Sequence, residues 1–94
     1  MNTPTTLLSL GQLAATPSAL DALATTNTDP FSLLRRHVSG DFGNVPPEDA
    51  AANLLALAIG ARVISSYTLS DSTRIWVITE ADRSLTTILK PEEY

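Results

Sequence analysis

The sequence predicts an α+β fold: two or three N-terminal helices packed on a three-stranded antiparallel β-meander. Three observations carry that expectation. Residues 62–90 contain three short runs rich in β-branched and aromatic residues, a composition that suits a pleated, half-buried surface. The segments joining those runs are too short for a parallel crossover, so the runs pair as antiparallel neighbours. Upstream, a capping residue precedes proline at Thr16-Pro17 and at Asp29-Pro30, and Pro46-Pro47 precedes two acids. These are helix-start signals.

Taken in order, residues 1–6 are polar and are expected to form a frayed terminus. Leu7 to Leu13 is a candidate short extra N-terminal strand or an extended arm. After Thr16-Pro17, Ala19, Leu20 and Leu23 recur at helical spacing, and the run Thr25-Thr26-Asn27-Thr28 has low helix propensity and ends the helix. In the second helix Phe31, Leu34 and Val38 form an apolar stripe. Arg35 and Arg36 fall off that stripe into solvent, and Leu33 neighbours His37 near the C-terminal end. Gly40 is the expected stop. Asp41 to Val45 is a loop with glycines, Gly40 and Gly43, on both sides of its aromatic Phe42. Pro47, Glu48 and Asp49 open the third helix, where acids complement the positive end of the helix dipole, and Gly60 closes it. The helical part therefore covers 16–60 and the meander 62–90.

In the first strand, Val63, Ser65, Tyr67 and Leu69 share one face and Ile64, Ser66 and Thr68 the other. Ser70 to Thr73 supplies turn chemistry. Arg74 to Thr79 is the second strand, Glu80 to Ser84 a second turn, and Leu85 to Leu89 the third strand. Pro91 ends the ladder because it cannot donate to it.

Ninety-four residues make a single domain, and a chain of this length buries only about 60–65% of its unfolded surface. The third helix is apolar on more than one face, with Ala51, Leu54, Leu55, Leu57, Ala58 and Ile59. Such a helix is either buried on several sides or covered by a partner. Leu54, Leu55 and Ile59, together with the acids Asp41, Glu80 and Asp82, are the candidate binding residues. Full cover by the sheet and the N-terminal segment is the structural alternative.

Absence of cysteine excludes disulfides, thiolate chemistry and cysteine-ligated zinc. One histidine disfavours a transition-metal site. The net charge of −4, with a single lysine, disfavours binding along a phosphate backbone, which needs clustered cations. An acidic surface suits either plain solubility or docking on a basic protein. No apolar run is long enough to span a membrane and no leader pattern precedes the domain, so a cytoplasmic location is expected. No phosphate-binding glycine loop, dinucleotide fingerprint, His-Glu-x-x-His or nucleophile elbow is present, and no cofactor is expected.

Two clusters carry what chemistry there is. His37 lies beside Arg36 and Asp41, and a histidine so placed is a candidate acid–base group; alternatively it caps the carbonyls of its own helix. Glu80, Asp82 and Arg83 sit in the second turn, followed by Ser84, Thr86 and Thr87. They offer anion-binding groups, or the local hydrogen bonds that such turns make anyway. Arg83 would pair with Glu80 or Asp41. Tyr67 and Trp76 on adjacent strands are expected to pack with each other or with the helices.

Leu34-Arg35-Arg36-His37-Val38-Ser39-Gly40-Asp41-Phe42-Gly43 resembles a His-x-x-Gly-Asp-aromatic-Gly motif. Ser65-Ser66-Tyr67 and the run Ile78 to Leu89, containing Thr-Glu-Ala-Asp-Arg-Ser, look like the second and third blocks of the same family. It consists of short, mostly uncharacterised bacterial proteins of plasmids and other mobile elements, some labelled as a type I restriction–modification methylation subunit. The resemblance spans most of residues 30–94. A methyltransferase subunit needs a cofactor-binding strand–turn–helix that this chain lacks. The resemblance therefore implies a mobile-element setting and a role in defence or counter-defence, not methylation. The chain departs from the family at Phe42, where Trp is expected, and at Leu54 and Leu55, where charge is expected.

The functional expectation is a non-enzymatic protein-interaction module acting on a protein partner or as a homo-oligomer. The alternative is a small ribonuclease-like or toxin-like enzyme in which His37 is the acid–base group, Arg83 holds phosphate, and Ser84, Thr86 or Thr87 assist.

Overall fold

The computed structural model describes residues 7–94; the expected frayed terminus, residues 1–6, lies outside the described residues. The order of elements is β1 (Gln12–Ala15), α1 (Pro17–Thr25), α2 (Pro30–Val38), α3 (Pro47–Ile59), β2 (Val63–Thr68), β3 (Arg74–Thr79), β4 (Leu85–Leu89) and a closing 3₁₀ turn (Pro91–Glu93). The class is α+β, as the sequence predicts. The sheet is not a bare meander: its order is β1-β4-β3-β2, with β1 added parallel to β4.

The extra strand lies later than the Leu7 to Leu13 segment expected for it. Gly11 sets the difference. Its φ is +66° and a Cβ there would collide with the backbone carbonyls of Arg83 and Ser84, so only glycine lets the chain come this close to the β3–β4 turn. Pairing begins directly after it, with Gln12 N–H donating to Ser84 O at 3.0 Å and Thr16 N–H to Ile88 O at 3.0 Å.

Each long helix starts where the sequence marks it. Thr16 Oγ1 accepts from Ala19 N–H and Asp29 Oδ1 from Phe31 N–H, which satisfies amides that a helix start otherwise leaves unpaired. In α2 the buried stripe is Leu33, Leu34 and His37, while Phe31 is 56% exposed, so the Phe31–Leu34–Val38 face expected from spacing is rotated. The buried His37 finds partners on the sheet in Ser65 and Thr79, and Phe31 is left on the solvent side of the opening turn.

One sheet face packs under α1 and α2. Ala19, Ala22, Leu23, Leu33 and Leu34 meet Tyr67, Ile75, Val77 and Ile88 there; each fully buried aliphatic side chain contributes about 1.5–3 kcal/mol. Val63 joins a second cluster with Leu8, Phe42 and Ala56, which anchors α3. The other face carries Ile64, Ser66, Trp76 and Ile78, which pair across β2 and β3. Tyr67 and Trp76 thus lie on opposite faces and do not pack together. Trp76 meets Tyr94 edge-on instead, ring centres 5.7 Å apart.

Strand β2 is an edge, and its free backbone groups are covered. Asn53 of α3 donates Nδ2–H to Ile64 O at 2.7 Å and accepts from Ile64 N–H at 3.1 Å. Two residues on, Ser66 N–H donates to Phe42 O and Asn44 N–H to Ser66 O. Gly43 makes that contact possible: at φ +72° it sits against the Ser66 carbonyl and the Tyr67 ring, where a Cβ has no room. An edge closed in this way cannot recruit another strand.

Candidate functional site

His37 is wholly buried and makes two hydrogen bonds across the α2–sheet seam, Nδ1 to Ser65 Oγ at 2.6 Å and Nε2 to Thr79 Oγ1 at 2.9 Å. Thr79 Oγ1 lies 2.8 Å from Thr86 Oγ1, its registered neighbour, and Thr86 Oγ1 donates to Leu10 O at 2.8 Å. The carbonyl can only accept, so the direction of the whole chain follows. Thr86 spends its proton on Leu10, Thr79 donates to Thr86, and the Nε2–H of His37 donates to Thr79. Nδ1 is then the acceptor for Ser65. The imidazole is neutral, and burial, reinforced by the Arg83 charge, lowers its pKa to about 4.

This differs from both readings of His37 made from sequence. It does not cap its own helix, and it has no solvent contact through which to exchange a proton with a substrate. Arg83, the second member of the enzyme constellation, donates Nη1–H to Ala61 O at 2.6 Å and Glu80 O at 3.2 Å, and Nη2–H to Ala56 O at 3.2 Å. It closes the C-terminal end of α3. A cation there also complements the helix dipole. Its own backbone is left-handed at φ +61°, a conformation that costs a non-glycine residue energy and that these three bonds offset.

The expected Asp41–Arg83 pair is not formed. Asp41 pairs with Arg36, Nε to Oδ2 at 2.6 Å, and accepts from Gly43 N–H; both interactions hold its carboxyl below the usual range, the Arg36 bond foremost. Arg36 also stacks over the Tyr67 ring at 4.6 Å, and Tyr67 Oη–H donates to Asp41 O at 2.7 Å. The segments 34–43 and 78–89 touch through His37 and Thr79, not through Asp41 and Arg83. Asp82 accepts from the backbone and hydroxyl of Ser84, a local turn. Glu80 contributes its backbone carbonyl to Arg83, and Thr87 lies on the other sheet face opposite Ile78.

Leu54, Leu55 and Ile59 are exposed to 57%, 59% and 67%, all on the outer side of α3. Its inner side buries Asn53 and Ala56. Between that inner side and the free face of the sheet lies a cavity of about 500 Å³. Ile64, Ser66 and Trp76 form its floor, Arg62 and Arg74 project into it from the ends of the strand pair, and Asn44 and Asp49 complete the wall. Arg62 stacks on the Tyr94 ring at 5.2 Å and donates to its hydroxyl. Sequence reasoning did not place these residues in a site, and read Trp76 as a packing residue. The available signal was the alternation Arg74, Trp76 against Ile64, Ser66, which places cations and an indole on the face that α1 and α2 do not cover.

Among the described residues no three His, Cys, Asp or Glu side chains are grouped to hold a metal, and no helix is long and apolar enough to cross a membrane. These features define a small α+β domain with two unfilled surfaces, an apolar helix face and a cationic cleft. No family model, curated protein or solved structure matches the chain.

Proposed function

We propose that this chain is a non-enzymatic protein-interaction module that pairs with a second copy of itself through the outer face of α3. The observation that carries the reading is that this face is apolar and uncharged from Ala50 to Ile59, with Leu54, Leu55 and Ile59 each more than half exposed. In a chain of net charge −4, two copies approach with least repulsion through an uncharged face, and a basic partner would find nothing there to pair with. The ends of the helix add complementarity. Glu48 lies in the first turn and the Arg83 guanidinium sits at the last. An antiparallel, two-fold pairing sets each acidic end beside a cationic one, as an isologous contact requires. In the mobile-element setting that the sequence resemblance implies, such a module would act by binding, in defence or counter-defence.

Light scattering after size exclusion, from micromolar to millimolar protein, tests this. The mass should rise toward that of a dimer with concentration. Leu55→Glu, on a side chain outside both core clusters, should hold the protein monomeric with an unchanged circular dichroism spectrum. A wild-type chain that stays monomeric throughout the range refutes the reading.

A further inference from the structure

The cleft on the inner side of α3 is a separate surface, and its chemistry is specific. At about 500 Å³ it falls within the size range of small-molecule sites. Its floor is largely apolar and aromatic, with Ile64 and Trp76 diagonal to one another on adjacent strands. Of the six cations in the chain, Arg36 is paired with Asp41 and Arg83 is spent on carbonyls; Arg62 and Arg74 are the two that line this cavity. One acid, Asp49, faces them, so the cleft is a net cationic pocket on an acidic protein.

A second observation points to a missing occupant. Ser66 is 5% exposed and lies in the cavity floor opposite Trp76. Its Oγ is the one buried side-chain polar atom among the described residues without a hydrogen-bond partner. Buried hydroxyls are almost always paired, and one that is not calls for an explanation. Nearby, the Ile64 N–H and C=O and the Ser65 hydroxyl are each paired, and Ser66's own N–H and C=O are bonded to Phe42 and Asn44, so the orphan is not a sign of loose local structure.

We propose that this cleft binds a small aromatic anion, its ring against Trp76, its carboxylate or phosphate on Arg74 or Arg62, and a polar atom on Ser66 Oγ. An indole offers the largest aromatic surface for stacking, and a guanidinium presents the paired donors that match either anionic group. Asn44 adds an adjustable donor, since its Oδ1 already accepts from Thr68 and leaves the amide hydrogens for the ligand. Tyr94, edge-on to Trp76 and holding Arg62, keeps one cation at the rim.

Trp76 is the sole tryptophan, so its indole N–H gives a single resonance in a nitrogen–proton correlation spectrum. Four probes are titrated into the full chain: benzoate, adenosine 5′-monophosphate, adenosine and inorganic phosphate. The expected result is a saturable shift of the Trp76 indole and of the Asn44 side-chain amide with benzoate or the monophosphate. Whichever of the two binds tighter tells whether the cleft takes a carboxylate or a phosphate. Adenosine and inorganic phosphate should each bind at least about tenfold more weakly, having only half of the recognised chemistry. Arg74→Ala and Arg62→Ala, both at exposed positions, should weaken the best probe by a similar factor without changing the fold, and Ser66→Ala should weaken it less. No saturable shift with either aromatic anion overturns the proposal. So does binding that neither arginine variant weakens, or adenosine binding as tightly as its monophosphate. Loss of dimerisation in Leu55→Glu leaves this titration unchanged, so failures of the two proposals are distinguishable.

Discussion

Mild acid should destabilise this protein through one side chain. His37 is buried and neutral, with a pKa lowered to about 4 by desolvation and by the Arg83 charge, against about 6.5 in an unfolded chain. Above the unfolded value neither state holds the extra proton, and His37 adds no pH dependence. Between about 6.5 and 4 the unfolded chain takes up a proton that the folded chain refuses. Stability therefore falls as pH falls, by about 1.4 kcal/mol per unit, and levels off below about 4. From about pH 7.5 to about pH 5 the loss comes to about 2 kcal/mol. Urea unfolding followed by Trp76 emission measures it. His37 is the only histidine, and the carboxyls of Asp41, Asp71, Asp82 and Glu93 are held below their ordinary values. The stability they contribute is lost at still lower pH, outside this window. The control is His37→Gln, which should be less stable at every pH but flat across the window. A wild-type chain with equal stability at both pH values, or a Gln variant that keeps the slope, would show that the buried neutral imidazole is not what the geometry says it is.

Two further substitutions test the scaffold. Arg83→Ala removes bonds to the carbonyls of Ala56, Ala61 and Glu80 and should cost about 2 kcal/mol in urea unfolding, since bonds to a charged group are the stronger kind; wild-type stability would rule out the capping role. Asn53→Ala unclasps Ile64 from α3, should cost a similar amount, about 1–3 kcal/mol, and should speed hydrogen exchange at the Ile64 amide. An Ile64 amide as protected as before would mean that Asn53 does not hold the edge.

Much of the fold was legible because it rests on local rules. Thr16-Pro17 and Asp29-Pro30 cap and start helices within four residues of sequence, and the alternation from Val63 to Leu69 assigns faces within one strand. The parallel β1 was not legible in place. Its position depends on how closely Gly11 approaches Arg83 and Ser84, seventy-odd residues away, and no local pattern encodes that approach. The rotation of α2 was missed for a related reason. Phe31, Leu34 and Val38 fit a helical stripe by spacing alone, but the sheet buries Leu33 and His37 instead, because Ser65 and Thr79 offer partners to an imidazole and none to a phenyl ring.

The candidate site was less legible, and hydrogen-bond accounting explains why. His37, Asp41, Arg83, Ser84 and Thr86 drew attention as chemically capable residues, yet each is used up: His37 by Ser65 and Thr79, Asp41 by Arg36, Arg83 by three carbonyls, Ser84 by Asp82, Thr86 by Leu10. In a domain with so modest a core, this use has a clear physical purpose. A one-residue slip of β4 against β3 would part Thr79 from Thr86, and a shift of α2 along the sheet would leave His37 buried and unsatisfied, at a cost of about 1–3 kcal/mol per orphaned group. The polar chain therefore fixes the register that apolar packing alone would leave loose. The residues free to meet a ligand are those the fold does not consume. That subtraction needs the structure. It leaves Ser66, Arg74 and the indole of Trp76 on one side of α3, with Arg62 held beside them by Tyr94, and Leu54, Leu55 and Ile59 on the other.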